Sequence, residues 1–581
     1  MKDKHKDIIV KKFRSMLVGE LLSSVVVSLV ILTDTIIAGM ILGANSVTAI
    51  NLVTPAYSLA AAISMMLSLG VPILYTRAVG NFDEEEADRV FKTGLTISLI
   101  SGAVLSVLFF IFGDVYLESF DDAAPIVIEN AKKYMFWIRI DVLFMPLSVV
   151  LPGMLFADGD EQISTAADFA GSVSNVILSF ILGQIFGIGG VALGSFTGTV
   201  INLVICGLHF ARKRNSLHLG FAMSFRVLRS VIKFSIIDAS AFLFLSLFSS
   251  FINRYMLARF DPDMLILAAV FTFVIELQFL MDGVGGAMSP IMGIYLPLKC
   301  DAGVVKTWKI SKWAAMIVGA ITMVVIAVTA PAIPEILGID DHAIIDMAVN
   351  GVRILSLGMP FISLLYLITS FYVLQERIFF GVVITALYEL VVAVVFAVIF
   401  GEIFGIYGVF AGVMAAAAIT WFIIRMYVSL RYGKEKWPLR LDDNELDTYI
   451  FDFAISPKEV VRTRDKIEGI LKEKNIANTV AVRFLLVFEE MYMDIYDRNK
   501  GVEVGGEAAI ILSEDEILLI EMDDGVIYHY DDDVTEPESW REYTLSRMSS
   551  RWMSSQNYIK AISFNRNRVS MSLTDKNMTG Q

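Results

Sequence analysis

Asp34, Asp238, Glu276, Asp282 and Glu389 are acidic residues set in long apolar stretches of a 581-residue chain. On insertion scales an ionisable side chain at the centre of a membrane helix costs roughly 2.5–3.5 kcal/mol, so such groups mark ion or substrate paths. Asp34 has no basic residue at the three- or four-residue spacing that would place one beside it on a helix. A low-dielectric site disfavours the charged form of a carboxylate, and taking up and releasing a proton is the chemistry open to it there. Glu276 and Glu389 fall mid-span and suit a cationic ligand, with neighbouring Phe and Met offering contact for an apolar body. Asp238 and Asp282 fall nearer to span ends, where water also solvates them. The cysteines Cys206 and Cys300 stand far apart and outside any CxxC or His-rich cluster, so no metal site or disulfide framework follows.

These acids need helices to hold them. The chain is 56% hydrophobic and 19% charged, and its mean hydropathy is +0.65. Hydropathy predicts twelve membrane spans at 15–43, 49–74, 93–113, 134–157, 163–186, 189–211, 234–253, 264–297, 313–331, 351–376, 379–403 and 405–430. Gly283, Gly285, Gly286 and Pro290 predict that the eighth is tilted or broken. Loops on the amino-terminal side carry 24 Lys and Arg against 4 on the other. That asymmetry places both termini in the cytoplasm of an inner (plasma) membrane protein. The apolar stretch after the basic start is too long for a signal peptide and is read as a retained first span. No basic stripe interleaved with aromatics points to nucleic acid.

The two halves echo each other. Arg139-Ile140-Asp141-Val142-Leu143-Phe144-Met145-Pro146 resembles Arg353-Ile354-Leu355-Ser356-Leu357-Gly358-Met359-Pro360, offset by 353 − 139 = 214. Phe186-Gly187-Ile188-Gly189-Gly190-Val191 matches Phe404-Gly405-Ile406-Tyr407-Gly408-Val409, offset by 404 − 186 = 218. The difference of four fits a small insertion. Six spans separate the partners, so the halves share orientation, the parallel-repeat arrangement of many secondary transporters. The expected fold class is an α-helical polytopic membrane protein with two pseudo-symmetric six-helix lobes, 1–220 and 221–432. A linker, 433–444, then leads to an α/β domain, 445–581.

Asp34-Thr35-Ile36-Ile37-Ala38-Gly39 resembles the first-helix signature of the MATE multidrug and toxin extrusion transporters. Arg77 to Ala87 resembles that family's turn after the second helix. Phe156-Ala157-Asp158-Gly159-Asp160 and Ser174-Asn175-Val176-Ile177-Leu178 resemble its fourth and fifth helices. The resemblance covers roughly residues 10 to 432. It implies export of organic cations and amphipathic compounds by alternating access, coupled to protons or sodium, through a V-shaped pair of lobes. It also implies a cation site of Asp34, Asn175 and Ser195. Relatives carry an acid where this chain has Ser179, and losing it weakens sodium coupling more than proton coupling. A single chain is expected to act alone, with membrane lipid and a small-molecule substrate as partners. A flippase for a lipid-linked precursor is the alternative transporter, disfavoured by the mainly acidic mid-span charges.

Beyond 444 the composition becomes that of a soluble α/β domain. A strand is predicted over Tyr449 to Ile455, a helix over Pro457 to Glu473 capped by Ser456, and a strand pair over Ala508 to Leu512 and Ile517 to Met522. This region resembles the ATPase fold of anti-sigma-factor serine kinases and histidine kinases. Glu490 and Asp494 stand at its Glu-x-x-x-Asn motif, and Asp523 and Gly525 at its Asp-x-Gly. Thr544 to Met548 stands where glycines should let the backbone approach phosphates. The expectation is therefore a degenerate site, with ATP and magnesium doubtful and hydrolysis lost. The domain would regulate transport, with a cytoplasmic regulatory protein as a partner, rather than make the chain a membrane-tethered kinase or signalling scaffold.

Overall fold

In a computed structural model, the residues described are 8–80, 83–120, 122–158, 160–210, 217–296, 300–375, 377–433, 447–512, 516–523, 525, 553–555 and 567–574. The first half is six long helices: α1 (Ile8–Leu42), α2 (Ala44–Gly80), α3 (Glu84–Glu118), α4 (Pro125–Ala157), α5 (Glu161–Phe186) and α6 (Ile188–Phe210). The second opens with α7 (Phe225–Arg259), which Ser224 caps by accepting from the Val227 amide. The eighth span is broken as expected: α8 (Leu265–Glu276), a 3-10 turn over Leu277–Met281, then α9 (Asp282–Tyr295). After α10 (Asp301–Thr329) and the short α11 (Ala332–Ile336) come α12 (His342–Ser356) and α13 (Met359–Leu374). These two form one span bent by 46°. The Gly358-Met359-Pro360 sequence sits at the bend, because proline cannot donate to the turn before it. The next span is α14 (Ile378–Ala386), a π turn over Leu387–Val391 and α15 (Val392–Phe404), and α16 (Ile406–Tyr432) closes the set. Among the described residues, ten helices are long and apolar enough to cross a membrane, and the bent pair makes an eleventh. In α1, where the first of the twelve spans is expected, the stretch Ile31–Leu42 is a shorter apolar helix.

The repeat is visible in backbone geometry. The α5–α6 and α15–α16 hairpins turn at Gly187 (φ +64°) and Gly405 (φ +63°), a left-handed conformation that side chains disfavour. Three residues on, a Cβ at Gly190 would lie 1.9 Å from the Leu182 carbonyl oxygen, and one at Gly408 would lie 1.8 Å from that of Phe400. Both hairpins thus close by direct backbone contact, which only glycine permits. Their partner residues share the sequence offset of 218.

By internal contacts the chain forms two compact units. One comprises 21–283 and 314–431. Within it the two helix sets are tied at one end. A Cβ on Gly39 of α1 would meet the Ile336 carbonyl of α11 at 2.2 Å, and the Ala44 amide donates to the Gly338 carbonyl at 3.2 Å. Arg254 of α7 donates to Ser119 at 2.8 Å, and Asn51 of α2 donates to Asn253 of α7 at 2.7 Å.

The other unit comprises 1–20, 284–313 and 432–581. Its sheet is antiparallel throughout, in the order β1-β2-β3-β5-β4: β1 (Asp447–Ala454), β2 (Gly505–Leu512), β3 (Glu516–Asp523), β4 (Met553–Ser555) and β5 (Asn567–Thr574). The first three strands and α17 (Pro457–Glu473), with Ser456 accepting from the Glu459 amide, follow the expected positions. A second helix, α18 (Asn478–Arg498), packs beside α17. Phe453, Phe488 and Tyr492 pack together in the core, with ring centroids 4.8–6.2 Å apart. Burial, and then the carboxylates of Glu521, Glu507, Asp523 and Asp452, push the Tyr492 phenol far above its ordinary range. It stays a donor and bonds the Glu507 carbonyl at 2.7 Å.

The helices α17 and α18 cover the sheet face that bears Phe453, Ala508 and Ile510. Thr448, Asp452 and Glu507 lie on the other face. That face grips the chain between α9 and α10. Tyr295 donates to the Glu507 carboxylate, Lys306 pairs with Asp452, and the Ala302 amide donates to Thr448 Oγ1 at 2.9 Å. Glu507 and Cys300 are fully buried there, and burial pushes the Cys300 thiol up to about 12. The expected linker, 433–444, lies outside the described residues from 434 onward, as does all of Thr544 to Met548.

Two outcomes test this packing. Gly408→Ala should destabilise the purified protein by about 1–3 kcal/mol through overpacking, while Gly189→Ala, with 3.6 Å of clearance, should stay within about 0.5 kcal/mol; thermal unfolding in detergent compares them. Glu507→Ala removes the carboxylate to which Tyr295 donates, and hydrogen exchange should quicken at the amides of β1, β2 and the first turn of α10, but not at those of α5 and α6.

Candidate functional site

Asp34 stands about three-quarters of the way along α1, partly exposed, and two hydroxyls aim at it. Tyr134 of α4 donates to Oδ2 at 2.5 Å, and Ser195 of α6 lies 2.7 Å from Oδ1. The Ser195 hydroxyl is also 3.2 Å from Asn175 Oδ1 on α5, and Ser179 reaches the same oxygen at 3.0 Å. The structure therefore brings Asp34, Asn175 and Ser195 together, with Ser195 between the other two. Among the described residues no cation pairs with Asp34. A Cβ at Gly194, one residue before Ser195, would lie 2.2 Å from the Ser179 amide. This contact lets α6 approach α5 closely enough for the cluster to form.

Sequence reasoning passes over three neighbours. Tyr134 is 6% exposed and Asp141, also on α4, is 3% exposed. Tyr57 of α2 is 37% exposed and lies within electrostatic reach of both Asp34 and Asp141. Asp141 was findable by the rule that finds Asp34, since it is an acid in an apolar span; it sits inside the repeated motif beside Arg139. Arg139 departs from the usual behaviour of a long basic side chain near a span end. Instead of reaching for the membrane interface it is 7% exposed, pairs with Asp114 of α3 at 2.5 Å and lies over the Phe110 ring at 5.5 Å. Its repeat partner, Arg353, is exposed.

The second half gathers a separate polar group. Glu389 is 9% exposed within the π turn of Leu387–Val391, a local irregularity common at functional sites. Tyr388 donates to its Oε1 at 2.7 Å, and among the described residues its Oε2 has no hydrogen-bond partner. Both residues, with Gln278, line a cavity of about 30 Å³. That is room for one or two waters rather than an organic molecule. Glu276 ends α8, is partly exposed and has no hydrogen-bond partner among the described residues. Asp282 opens α9 and is exposed, with Tyr366 within electrostatic reach of it and of Glu389. Asp238 lies in α7, but its side chain is outside the described residues.

The residues matched to a nucleotide site are otherwise engaged. Asp494 pairs with Arg498 at 2.7 Å, so the carboxylate expected at a magnesium position already has its cation. Asp523 accepts from the Gly525 amide at 2.7 Å, and a Cβ on Gly525 would lie 2.7 Å from the Asn499 amide. Glu490 is partly exposed on α18, and Asp524 lies outside the described residues.

The MatE family model matches residues 21–181, which hold Asp34, Tyr134, Asp141 and Asn175. A solved structure described as the inward-facing conformation of a multidrug resistance MATE family transporter of the MOP superfamily superimposes with a TM-score of 0.63 at 20% identity, over 69% of this chain and 95% of that one. The outward-facing conformation of such a transporter gives 0.57 at 20% identity, over 73% and 96%. A MATE protein in complex with MaL6 gives 0.58 at 20% identity, over 73% and 97%. The chain has the MATE transporter fold. No curated protein matches it.

The MATE-like cluster makes a testable unit. Tyr134→Phe and Ser195→Ala each take one donor from Asp34 and should each cost about 1–3 kcal/mol of stability. Since both act on one carboxylate, the double variant should depart from additivity by at least about 0.5 kcal/mol. Thermal unfolding of the four proteins in one detergent measures both quantities.

Proposed function

We propose that this protein is a proton-coupled antiporter that exports organic cations or amphipathic compounds by alternating access. The observation that carries this reading is the Asp34 carboxylate, held by the Tyr134 and Ser195 hydroxyls at 2.5 and 2.7 Å with no cation beside it among the described residues. Such a group exchanges a proton without breaking an ion pair. Sodium favours several oxygens, charged ones most, and position 179 is a serine, which leaves Asp34 as the one carboxylate of the Asp34–Asn175–Ser195 group. Coupling follows if protonation of Asp34 favours one arrangement of the helix sets and substrate favours the other.

Charge asymmetry assigns the end tied by Gly39–Ile336 and Arg254–Ser119 to the outside. Glu276 and Glu389 are the acids proposed to meet a cationic substrate, Glu389 only in a state where the cavity of about 30 Å³ beside it has widened. The acidic character of both sites is also what sets this reading above a flippase for a lipid-linked precursor, which would need basic groups for phosphates. The carboxyl-terminal region is proposed as a cytoplasmic regulatory domain that acts through its grip on the α9–α10 connection. The Asp494–Arg498 pair supports that over a role for nucleotide and magnesium.

Ethidium, a fluorescent organic cation, in inverted membrane vesicles provides the test. An imposed proton gradient should drive its uptake, a sodium gradient alone should not, and Asp34→Asn should slow proton-driven uptake at least about tenfold. Gradient-driven uptake that persists in Asp34→Asn removes Asp34 as the coupling group. Ethidium that stays unmoved by the native chain under either gradient removes the organic-cation reading.

A further inference from the structure

The antiporter reading gives Asp141 no role, yet its position demands one. It is 3% exposed, and among the described residues its Oδ1 has no hydrogen-bond partner. An acid buried in a span without a cation is costly to keep unless it works. Asp141 follows Tyr134 by seven residues on α4. Two turns therefore place it on the same face, about 10 Å further along the axis. On α6, Thr199 follows Ser195 by one turn; its hydroxyl donates to the Ser195 carbonyl at 3.3 Å and lies within reach of the Asp141 carboxylate. Two parallel steps, Tyr134 to Asp141 and Ser195 to Thr199, thus lead away from Asp34. Under the charge asymmetry both run towards the cytoplasm. Tyr57 reaches both acids electrostatically from α2.

We propose that Asp141 is a second proton-carrying carboxylate of the Asp34 site, supplied from α4 where position 179 of α5 has a serine, and that it passes protons between Asp34 and the cytoplasmic side. This rests on the proton-coupled reading above. In the transfer the O–H bond of the Asp34 carboxylic acid breaks and one forms on the Asp141 carboxylate. A bridging water gives up one O–H bond and gains another, and net charge is unchanged. The groups facing Asp141 are Asp34 of α1, Tyr57 of α2, Tyr134 of its own helix and Thr199 of α6. Two neighbouring carboxylates in low dielectric resist being ionised together, so one proton held by the pair is the stable state.

Infrared difference titration of the full-length protein in liposomes reads this without any substrate. The native chain should show carboxylic C=O bands that include one lost in Asp34→Asn and a different one lost in Asp141→Asn. In Asp141→Asn the Asp34 midpoint should move down by about one pH unit, because a neighbouring negative charge has gone. Asp141→Glu should restore the coupling. Should Asp141→Asn fail to fold, Thr199→Val serves instead; removing a donor to the carboxylate should move the Asp141 midpoint up. An unchanged Asp34 midpoint in Asp141→Asn, or an unmoved Asp141 midpoint in Thr199→Val, overturns the relay and leaves Asp34 in place. A spectrum that loses no band in Asp34→Asn overturns both readings.

Discussion

A carboxylate inside a layer of hydrocarbon thickness must find donors within the protein, because no bulk water is there to supply them. Asp34 meets that requirement with hydroxyls contributed by two other helices, and the rest of the first half is arranged to deliver them. Tyr134 and Ser195 reach it only because α4 and α6 both pass close to α1, and α6 comes near enough only because Gly194 lets it press on the α5 backbone. A neutral donor shell leaves the carboxylate free to change its proton occupancy. A lysine or arginine in the same place would hold it permanently charged.

The same economy of contact governs the repeated hairpins. Glycine pairs bring backbone against backbone at α5–α6 and at α15–α16, so each hairpin behaves as one stiff body. Movement is then left to the joints between bodies. The structure offers several: the 3-10 turn between α8 and α9, the 46° bend at Gly358, and the ties at Gly39 and Arg254. Stiff hairpins joined at few points are what a two-state transport cycle needs, since continuous deformation of close-packed helices is expensive.

Span positions, the break in the eighth span and the paired hairpin turns are legible in the sequence. Hydropathy, and glycine at a fixed offset, are signals carried along one dimension. The Asp34–Asn175–Ser195 grouping comes from motif resemblance, and the structure brings those residues into contact. Tyr134 is different: it meets Asp34 across 100 positions, and nothing in a tyrosine near the start of an apolar run announces a carboxylate partner. Arg139 misleads because a long basic side chain near a span end usually reaches for water, and only the fold reveals Asp114 on the adjacent helix. In the carboxyl-terminal region, β1 to β3 and α17 carry clear alternation and capping signals. The Arg498 side chain that occupies Asp494 lies one turn away and could have been read as an i,i+4 pair.

The π turn at Leu387–Val391 has a consequence of its own. The span that contains it runs from Ile378 to Phe404, 27 residues, whereas its repeat counterpart α5 has 26. A π turn absorbs one added residue as a local bulge, so the helix beyond it keeps its facing and the Phe404–Gly405 hairpin still closes. The second half has thereby departed from its twin without disturbing the glycine contacts that fold it. The bulge falls where Glu389 enters the interior, so a one-residue insertion and a buried acid share a single seam.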